Sequence, residues 1–553
     1  MLRLVAMRSV SAVLAGTWLA LLLSPPLLTG CANILGLDGY RPDPEQGGSD
    51  PGGDPLGAPC ESGDTCESGF CSDELCCDRA CDGVCDACDI TDFEGTCSPR
   101  AAGTTFIGCT GVCDGDGGCL VDGGTASLAG GPGDQRAYAL AAGPSGGFVI
   151  AGLFNAAFSF DDNAPMPMPV VGGFDAYVAT FDSEGTLGFE RSVGGAQSDA
   201  LYAVDMAADG RVVAAGESRS PAFQFAGMPR SFNAVGDPLI VAWDPAGTEL
   251  WLAAPSQSVN VSEVAYGVAF DDEGRVWAGG NMTDADGLGL SDGFVNVYDA
   301  AGSEAFPPIR LGVDGFTSYV RTLGANEAGD RVLVAGTTDG PLNVAAVSEV
   351  GVGPDPDMFL IMFDSSGTPL WGHAYPASSG GAIPVSVAFD ADGGVAVSGI
   401  AVGNNDFGGS ILQGIGMDED IFIASFTEDG EHRFSHVYPA VGFQIGRSIA
   451  FDASGRLVVA GESYGAFEFG PEAPLLGVVG GSDGYVGRLT ADGEHLASFS
   501  FGDVVDQQIW GVATASDGVV RLAGYAAGAF DLFESPLTAP DEFADVLLMN
   551  MPP

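Results

Sequence analysis

From about residue 125 the chain alternates short runs of β-branched, alanine and aromatic residues with Asp/Gly turns, and the alternation repeats. Seven segments pair one apolar run with a second that ends in glycine: "YALAAGPSGGFVIAG", "YAVDMAADGRVVAAG", "YGVAFDDEGRVWAGG", "VRTLGANEAGDRVLVAG", "VSVAFDADGGVAVSG", "RSIAFDASGRLVVAG" and "WGVATASDGVVRLAG". Matching Gly152, Gly216, Gly279, Gly336, Gly399, Gly461 and Gly524 gives spacings of 64, 63, 57, 63, 62 and 63 residues. Each segment has the composition of a β-hairpin, two short strands around a turn that needs Asp and Gly. A third run opens with an aspartate in every unit, at Asp175, Asp237, Asp292, Asp357, Asp420, Asp483 and Asp545. Six of the seven then turn through Gly185, Gly247, Gly302, Gly367, Gly430 or Gly493 into a fourth run such as "LWLAA" or "LWGHAY". The unit predicted is a four-stranded antiparallel sheet.

Both faces of the third strand are apolar and they differ in size. Large side chains stand two and six residues after the aspartate (Tyr177 and Phe181, Leu239 and Trp243, Phe359 and Phe363), and an aliphatic stands three after it (Val178, Ile240, Leu360). A sheet that buries both faces lies between neighbours, and large against small lets the neighbours interdigitate. The fold class predicted is all-β: a seven-bladed β-propeller of four-stranded blades over residues 121–553. An open β-solenoid has shorter repeats. Blade 7 ends at "DVLLMNMP" without a fourth strand, whereas Thr125–Gly130 aligns with the fourth-strand exits, so the ring is expected to close by pairing 125–130 with 545–551. Spacers of about 21 residues separate second and third strands in six blades, with "AFSF", "AFQF", "AFEF" and "AFDLF" read as parts of an extra hairpin on one rim. Blade 3 has only 12 residues in this place, so a notch is expected at 281–291.

The runs "DPLIVAWDPAGTELW", "DMFLIMFDSSGTPLW" and "VSVAFDADGGVAVSG" resemble the SBBP-type repeats of bacterial secreted proteins, related in style to NHL propellers. That resemblance implies a seven-bladed propeller on an exported protein, without catalytic residues to carry over.

The first 120 residues bear on address. Arg3 and Arg8 precede the apolar run "SVSAVLAGTWLALLL", the pattern of a secretory signal over 1–30, and Leu28-Thr29-Gly30-Cys31 resembles the bacterial lipobox, whose cysteine is lipidated. Several acyl chains on Cys31 would anchor the protein in an outer membrane, on its periplasmic or outer side. Residues 31–58, rich in Pro, Gly and Asp, read as a disordered tether. A cysteine-rich module over 59–120 holds Cys60, Cys66, Cys71, Cys76, Cys77, Cys81, Cys85, Cys88, Cys97, Cys109, Cys113 and Cys119; an even dozen in an exported chain predicts disulfides. Their pairing cannot be deduced from spacing. A zinc site on Cys81, Cys85 and Cys88 is disfavoured because the block has no histidine, and Asp114 and Asp116 read as a turn rather than a calcium loop.

Charge and composition narrow the function. The net charge is -55, or 17 minus 74, giving -57, once residues 1–30 are removed, and all 19 basic residues are arginine. Such a surface repels nucleic acid, and a chain without lysine has neither a P-loop nor Schiff-base chemistry. Dispersed negative charge also keeps an exported protein soluble and monomeric.

Candidate chemistry is sparse. A residue repeated in all seven blades serves architecture, so the leading aspartates read as strand-start residues that accept backbone hydrogen bonds, with a ring of calcium ligands as the sharper alternative. "GESYG" at 461–465 matches a nucleophile elbow in form, but no helix follows Ser463. "DSSGTPLW" and "DPAGTELW" resemble sialidase Asp-boxes with a different spacing. His373, His432, His436 and His495 all fall on or beside fourth strands, at the outer edge of a blade. The expectation is therefore a non-enzymatic envelope protein, without catalytic residues, metal or cofactor, that displays a propeller to an envelope or extracellular protein or glycan. The alternative is a propeller hydrolase or lyase acting on polysaccharide, which requires unrepeated carboxylates or histidines at the channel mouth.

Overall fold

The computed structural model describes residues 55–112 in part and 124–552 except for 162–165, 233–234, 256–261, 284–289, 345–355, 378, 472, 534 and 540–542. The signal, Cys31, most of the tether, Cys85, Cys113, Cys119, Asp114 and Asp116 lie outside the described residues, as do the side chains at and around Cys109.

Seven antiparallel sheets of four main strands follow one another along the chain. Blade 1 runs through Gln135–Ala142, Phe148–Phe154, Asp175–Phe181 and Leu187–Val193 in sequence order from the channel outward. Blades 2 to 6 repeat this order. Every third strand from blade 1 to blade 6 is buried over nearly its whole length, as the two apolar faces require.

Blade 7 closes the ring. Its strands Gln507–Thr514, Val520–Ala526 and Asp545–Met551 are completed by Thr125–Ala129, with Leu547 opposite Leu128 and Asn550 opposite Thr125. Asn550 Nδ2 donates to Thr125 Oγ1 at 3.2 Å, and Leu128 packs against the cluster that holds Leu547 and Met549. Closure removes two sheet edges that would otherwise be open for pairing.

Blades that radiate from an axis diverge, so the gap between neighbours widens with radius. The long spacers fill it. Ala222–Phe225 pairs with Met228–Ser231, Ala529–Leu532 pairs with Ser535–Thr538, and Phe158 and Phe467 bridge Met168 and Leu476. Their aromatic side chains enter the clusters shared by adjacent blades: Phe158 meets Tyr177 at 5.7 Å, Phe225 meets Trp243 at 5.9 Å and Phe467 meets Tyr485 at 5.0 Å between ring centroids. The hairpins are thus wedges in the clefts between blades rather than a decoration of one rim. Among the described residues blade 3 has no such hairpin, and Trp251 of blade 2 packs on Tyr298 at 5.7 Å in the corresponding cleft. The notch predicted there falls largely on 284–289, outside the described residues.

The repeat glycines have one cause. In each first strand the register slips by one residue opposite the glycine, a β-bulge. The bulge drives a first-strand carbonyl against the second strand. A Cβ on Gly152 would lie 1.9 Å from the Arg136 carbonyl oxygen, and one on Gly461 would lie 1.9 Å from that of Ile445, so only glycine fits. Blade 3 corrects the sequence alignment by one residue. There Gly280, not Gly279, faces the bulge and pairs with Phe294, as Gly152 pairs with Tyr177.

In the cysteine-rich module, Cys60 bonds to Cys71, Cys66 to Cys76, Cys77 to Cys88 and Cys81 to Cys97. The first two bridges interlock, as do the last two. Each closes a loop that alone has little to bury, and loop closure of this length stabilises by about 2–3 kcal/mol. Cys81 and Cys88 are consumed by these bonds, which leaves them no thiolate for zinc. Disulfides belong to an oxidising compartment. No helix among the described residues is long and apolar enough to cross a membrane.

Candidate functional site

The seven first strands line a central channel of about 1260 Å³. Each is hydrogen-bonded to a neighbour on one side only, so its other edge presents backbone N–H and C=O groups to the channel. The bulge decides which side chain joins them. A bulge turns its extra residue away from the regular alternation, and the extra residues here are Tyr138, Tyr202, Tyr266, Arg321, Val385, Arg447 and Trp510, all in the channel wall and all half-buried.

Six of these seven form an arc of touching π surfaces and guanidinium groups. Tyr138 lies 4.6 Å from Trp510 and 5.8 Å from Tyr202, and Tyr202 lies 6.1 Å from Tyr266, all between ring centroids. Arg321 extends the arc at 5.9 Å from the Tyr266 centroid, and Arg447 extends it at 3.9 Å from Trp510. The arc opens only at blade 5, where Val385 stands between Arg321 and Arg447 with Ile383 and Ile400 beside it. Blade 5 differs again in length: Ser379–Phe389 and Val395–Asn405 have 11 residues each, against seven or eight in blades 1 and 6, so this hairpin stands up beside the gap.

A second layer fixes the arc. Tyr202 donates to Glu217 Oε1 at 3.2 Å, and Arg447 grips both oxygens of Glu462, Nε to Oε2 at 2.9 Å and Nη2 to Oε1 at 2.5 Å. Trp510 Nε1 donates to Gln508 Oε1 at 3.0 Å, and that oxygen also accepts from the Tyr525 hydroxyl at 2.6 Å. Burial raises the pKa of Tyr138, Tyr202 and Tyr266 above the ordinary tyrosine value, and Glu217 adds to the rise at Tyr202, so the arc keeps its hydroxyl protons. Burial also pushes the Glu462 carboxyl up, and Arg447 opposes that rise.

The arc lies two or three residues into the first strands, toward the face where the spacers and the connections between blades converge. That face is apolar over blades 5 to 7: Val441, Phe443, Tyr464, Val479 and Val504 are exposed, Val441 by 76% and Val504 by 74%. Phe443 and Tyr464 share a backbone hydrogen bond, and Gly480 abuts Val504, so these residues fall in two neighbouring groups on that face. Exposed apolar residues gathered on one face mark an interaction surface. The opposite mouth carries the Asp, Asn and Glu side chains of the tight turns, among them Asp271, Asp272, Asn326 and Glu327.

The residues singled out by sequence fall elsewhere. The leading aspartates accept backbone N–H groups as expected: Asp175 from Val171 at 2.6 Å, Asp420 from Ala440 at 3.0 Å and Ile415 at 3.1 Å, and Asp483 from Val479 at 2.8 Å. The Asp-box-like turns are Asx turns, with Asp244 capping Thr248 and Asp364 capping Thr368. Ser463 donates its hydroxyl to the Gly465 carbonyl at 2.5 Å and has no histidine beside it. His373, His432, His436 and His495 stand on fourth strands, where His432 and His495 each bond a serine hydroxyl three residues on, at 3.0 Å. Among the described residues, the one trio of His, Cys, Asp or Glu groups close enough to share a metal is Cys60, Cys66 and Cys76, all disulfide-bonded. The sequence leaves the arc unmarked, although its members stand 14 residues before the bulge-facing glycine in five blades and 15 in blade 4.

No family model matches the chain. No curated protein matches it either. Among solved structures it is similar to a chain of "Crystal Structure of Mitotic Checkpoint Complex", at 10% identity over 78% of this chain and 91% of that one, with a TM-score of 0.38. So distant a likeness has no bearing on function.

Proposed function

We propose that the protein is an exported recognition module, tethered to a bacterial outer membrane through Cys31 and offering the arc-bearing mouth of its propeller to an envelope or extracellular glycan or protein. One observation carries this reading. The architecture holds the bulge constant in every blade and lets the residue it presents vary, so the channel wall is the place where this fold was free to become specific, and that place is filled with tyrosine, tryptophan and arginine, the residues that dominate binding hot spots. The exposed apolar patch around the same mouth supports it.

Two carboxylates that reach the arc, Glu217 and Glu462, hold the same place in blades 2 and 6 and are engaged by Tyr202 and Arg219 and by Arg447, while the four histidines stand on or beside outer strands. General acid-base work needs a carboxyl free to meet a substrate, so recognition is the better use of this mouth. The resemblance to SBBP repeats agrees with an exported, non-catalytic role.

Cross-linking on intact cells tests the reading. Wild type should capture a partner that the pair Tyr202→Ala/Trp510→Ala loses and that Leu370→Ser, on an exposed outer strand, retains. Cys31→Ala should move the protein from the membrane to the soluble fraction. Capture that survives the loss of Tyr202 and Trp510 sinks the proposal.

A further inference from the structure

The arc contains one cation without an anion. Arg447 is neutralised by Glu462, but Arg321, in a chain of 74 acidic residues, makes no hydrogen bond and no ion pair among the described residues. Its Nε is buried with no partner, and its guanidinium lies 4.6 Å from the Tyr319 centroid and 5.9 Å from that of Tyr266. A buried donor left unsatisfied is costly, and guanidinium is the group whose flat fork matches a carboxylate with two parallel bonds. Beside Arg321 stand the apolar gap at Val385 on one side and the tyrosine arc on the other.

The geometry points to a saccharide bearing a single carboxylate, such as a neutral oligosaccharide ending in one uronic acid, as the ligand of this mouth, its carboxylate on Arg321 and its sugar rings on Tyr266, Tyr202 and Tyr138. This rests on the recognition reading above. The neighbouring tyrosine rings are tilted by only 33° and 31° and partly overlap, so they offer a stepped apolar wall to the C–H groups of pyranose rings. The open backbone edges of the first strands supply donors and acceptors for hydroxyl groups around the whole wall. The number of charges is limited by the protein: with a net charge of -55 and one unpaired guanidinium in the arc, a second carboxylate would meet repulsion rather than a partner.

Fluorescence titration of the full chain, in which Trp510 is the channel tryptophan, distinguishes the possibilities. Probes are aldotriouronic acid (one uronate on a neutral disaccharide), its methyl ester, a neutral trisaccharide, a triuronate, and a tripeptide with a free C-terminus. The acid should bind and change the emission, and esterification should weaken binding about tenfold to a hundredfold, the loss of a charge-assisted bidentate contact. Arg321→Gln should bind acid and ester alike, Arg321→Lys should recover part of the preference, and both should melt as wild type does. The triuronate should bind less tightly than the aldotriouronic acid, by a margin that shrinks with salt. Equal binding of acid and ester by wild type overturns the carboxylate assignment, as does a preference that survives Arg321→Gln. Binding of the neutral trisaccharide alone, or of the peptide alone, overturns this ligand class and leaves the recognition reading standing. A wild type that answers to none of the probes refutes this inference, and the capture experiment decides the broader reading separately.

Discussion

The Arg447 guanidinium carbon sits 3.9 Å from the centroid of the Trp510 ring while its nitrogens hold both oxygens of Glu462, whose side chain is 1% exposed. One residue thus joins the first strands of blades 6 and 7 at the channel and satisfies a buried acid. Arg447→Ala leaves that acid uncompensated, and breaking one side of a buried pair costs about 3–5 kcal/mol. Arg447→Met with Glu462→Leu should recover most of the loss, because the charge and its partner leave together. Urea unfolding of the two variants checks this; a single variant that is no less stable than the double one would show that Glu462 is not held as described.

The closing strand allows a test of the ring. Deleting 121–131 strips Asp545–Met551 of its outer partner and leaves the outer edge of blade 7 open. The melting midpoint should fall by at least about 5 °C and the protein should self-associate through the bared edge. An unchanged melting transition and a monomeric profile in gel filtration would mean that the ring closes by some other contact.

Much of this fold was legible because a repeated requirement leaves a repeated residue. The Asp175-type positions recur because the start of a third strand is capped by a side chain that accepts backbone N–H groups, as at Asp175, Asp357, Asp420 and Asp483. The closing pair of Thr125–Ala129 and Asp545–Met551 was readable because a missing strand at one end matched a spare one at the other. The site was hidden for the opposite reason. Tyr138, Arg321, Val385 and Trp510 share a structural position but no residue type, and a bulge leaves no mark in sequence except the glycine across from it. The inward role of Phe158 and Phe225 was also invisible, since the divergence of blades with radius is a property of the assembled ring.

Blade 3 tests that account of the glycine. A Cβ on Gly280 would lie 1.9 Å from the Val264 carbonyl oxygen, a backbone atom that cannot swing away, whereas one on Gly279 would meet Val320 and Leu323 side-chain carbons at 2.8 and 2.9 Å. Side chains yield where backbone does not. Gly280→Ala should therefore destabilise by about 3 kcal/mol or more and Gly279→Ala by about 1–2 kcal/mol. Equal losses in denaturant titration would place the bulge at neither residue.

The pH dependence follows from the leading aspartates. Burial pushes the Asp175 carboxyl up to about 6, against the hydrogen bond from Val171, which lowers it. Asp420 and Asp483 are raised by burial in the same direction. Between the ordinary carboxylate range and about pH 6 the folded state at Asp175 therefore binds more protons than the unfolded one, so stability from this group is complete at the acid end and is lost as pH rises through about 6. Asn in its place still accepts from Val171 but has no charge to desolvate. Against Asp175→Asn, wild type should gain in melting temperature as pH falls from 7.5 to 5, and the comparison cancels the opposite trend from His432, His436 and His495, whose pKa values burial lowers. A difference between the two proteins that stays constant across that range would mean that Asp175 keeps an ordinary pKa in the fold.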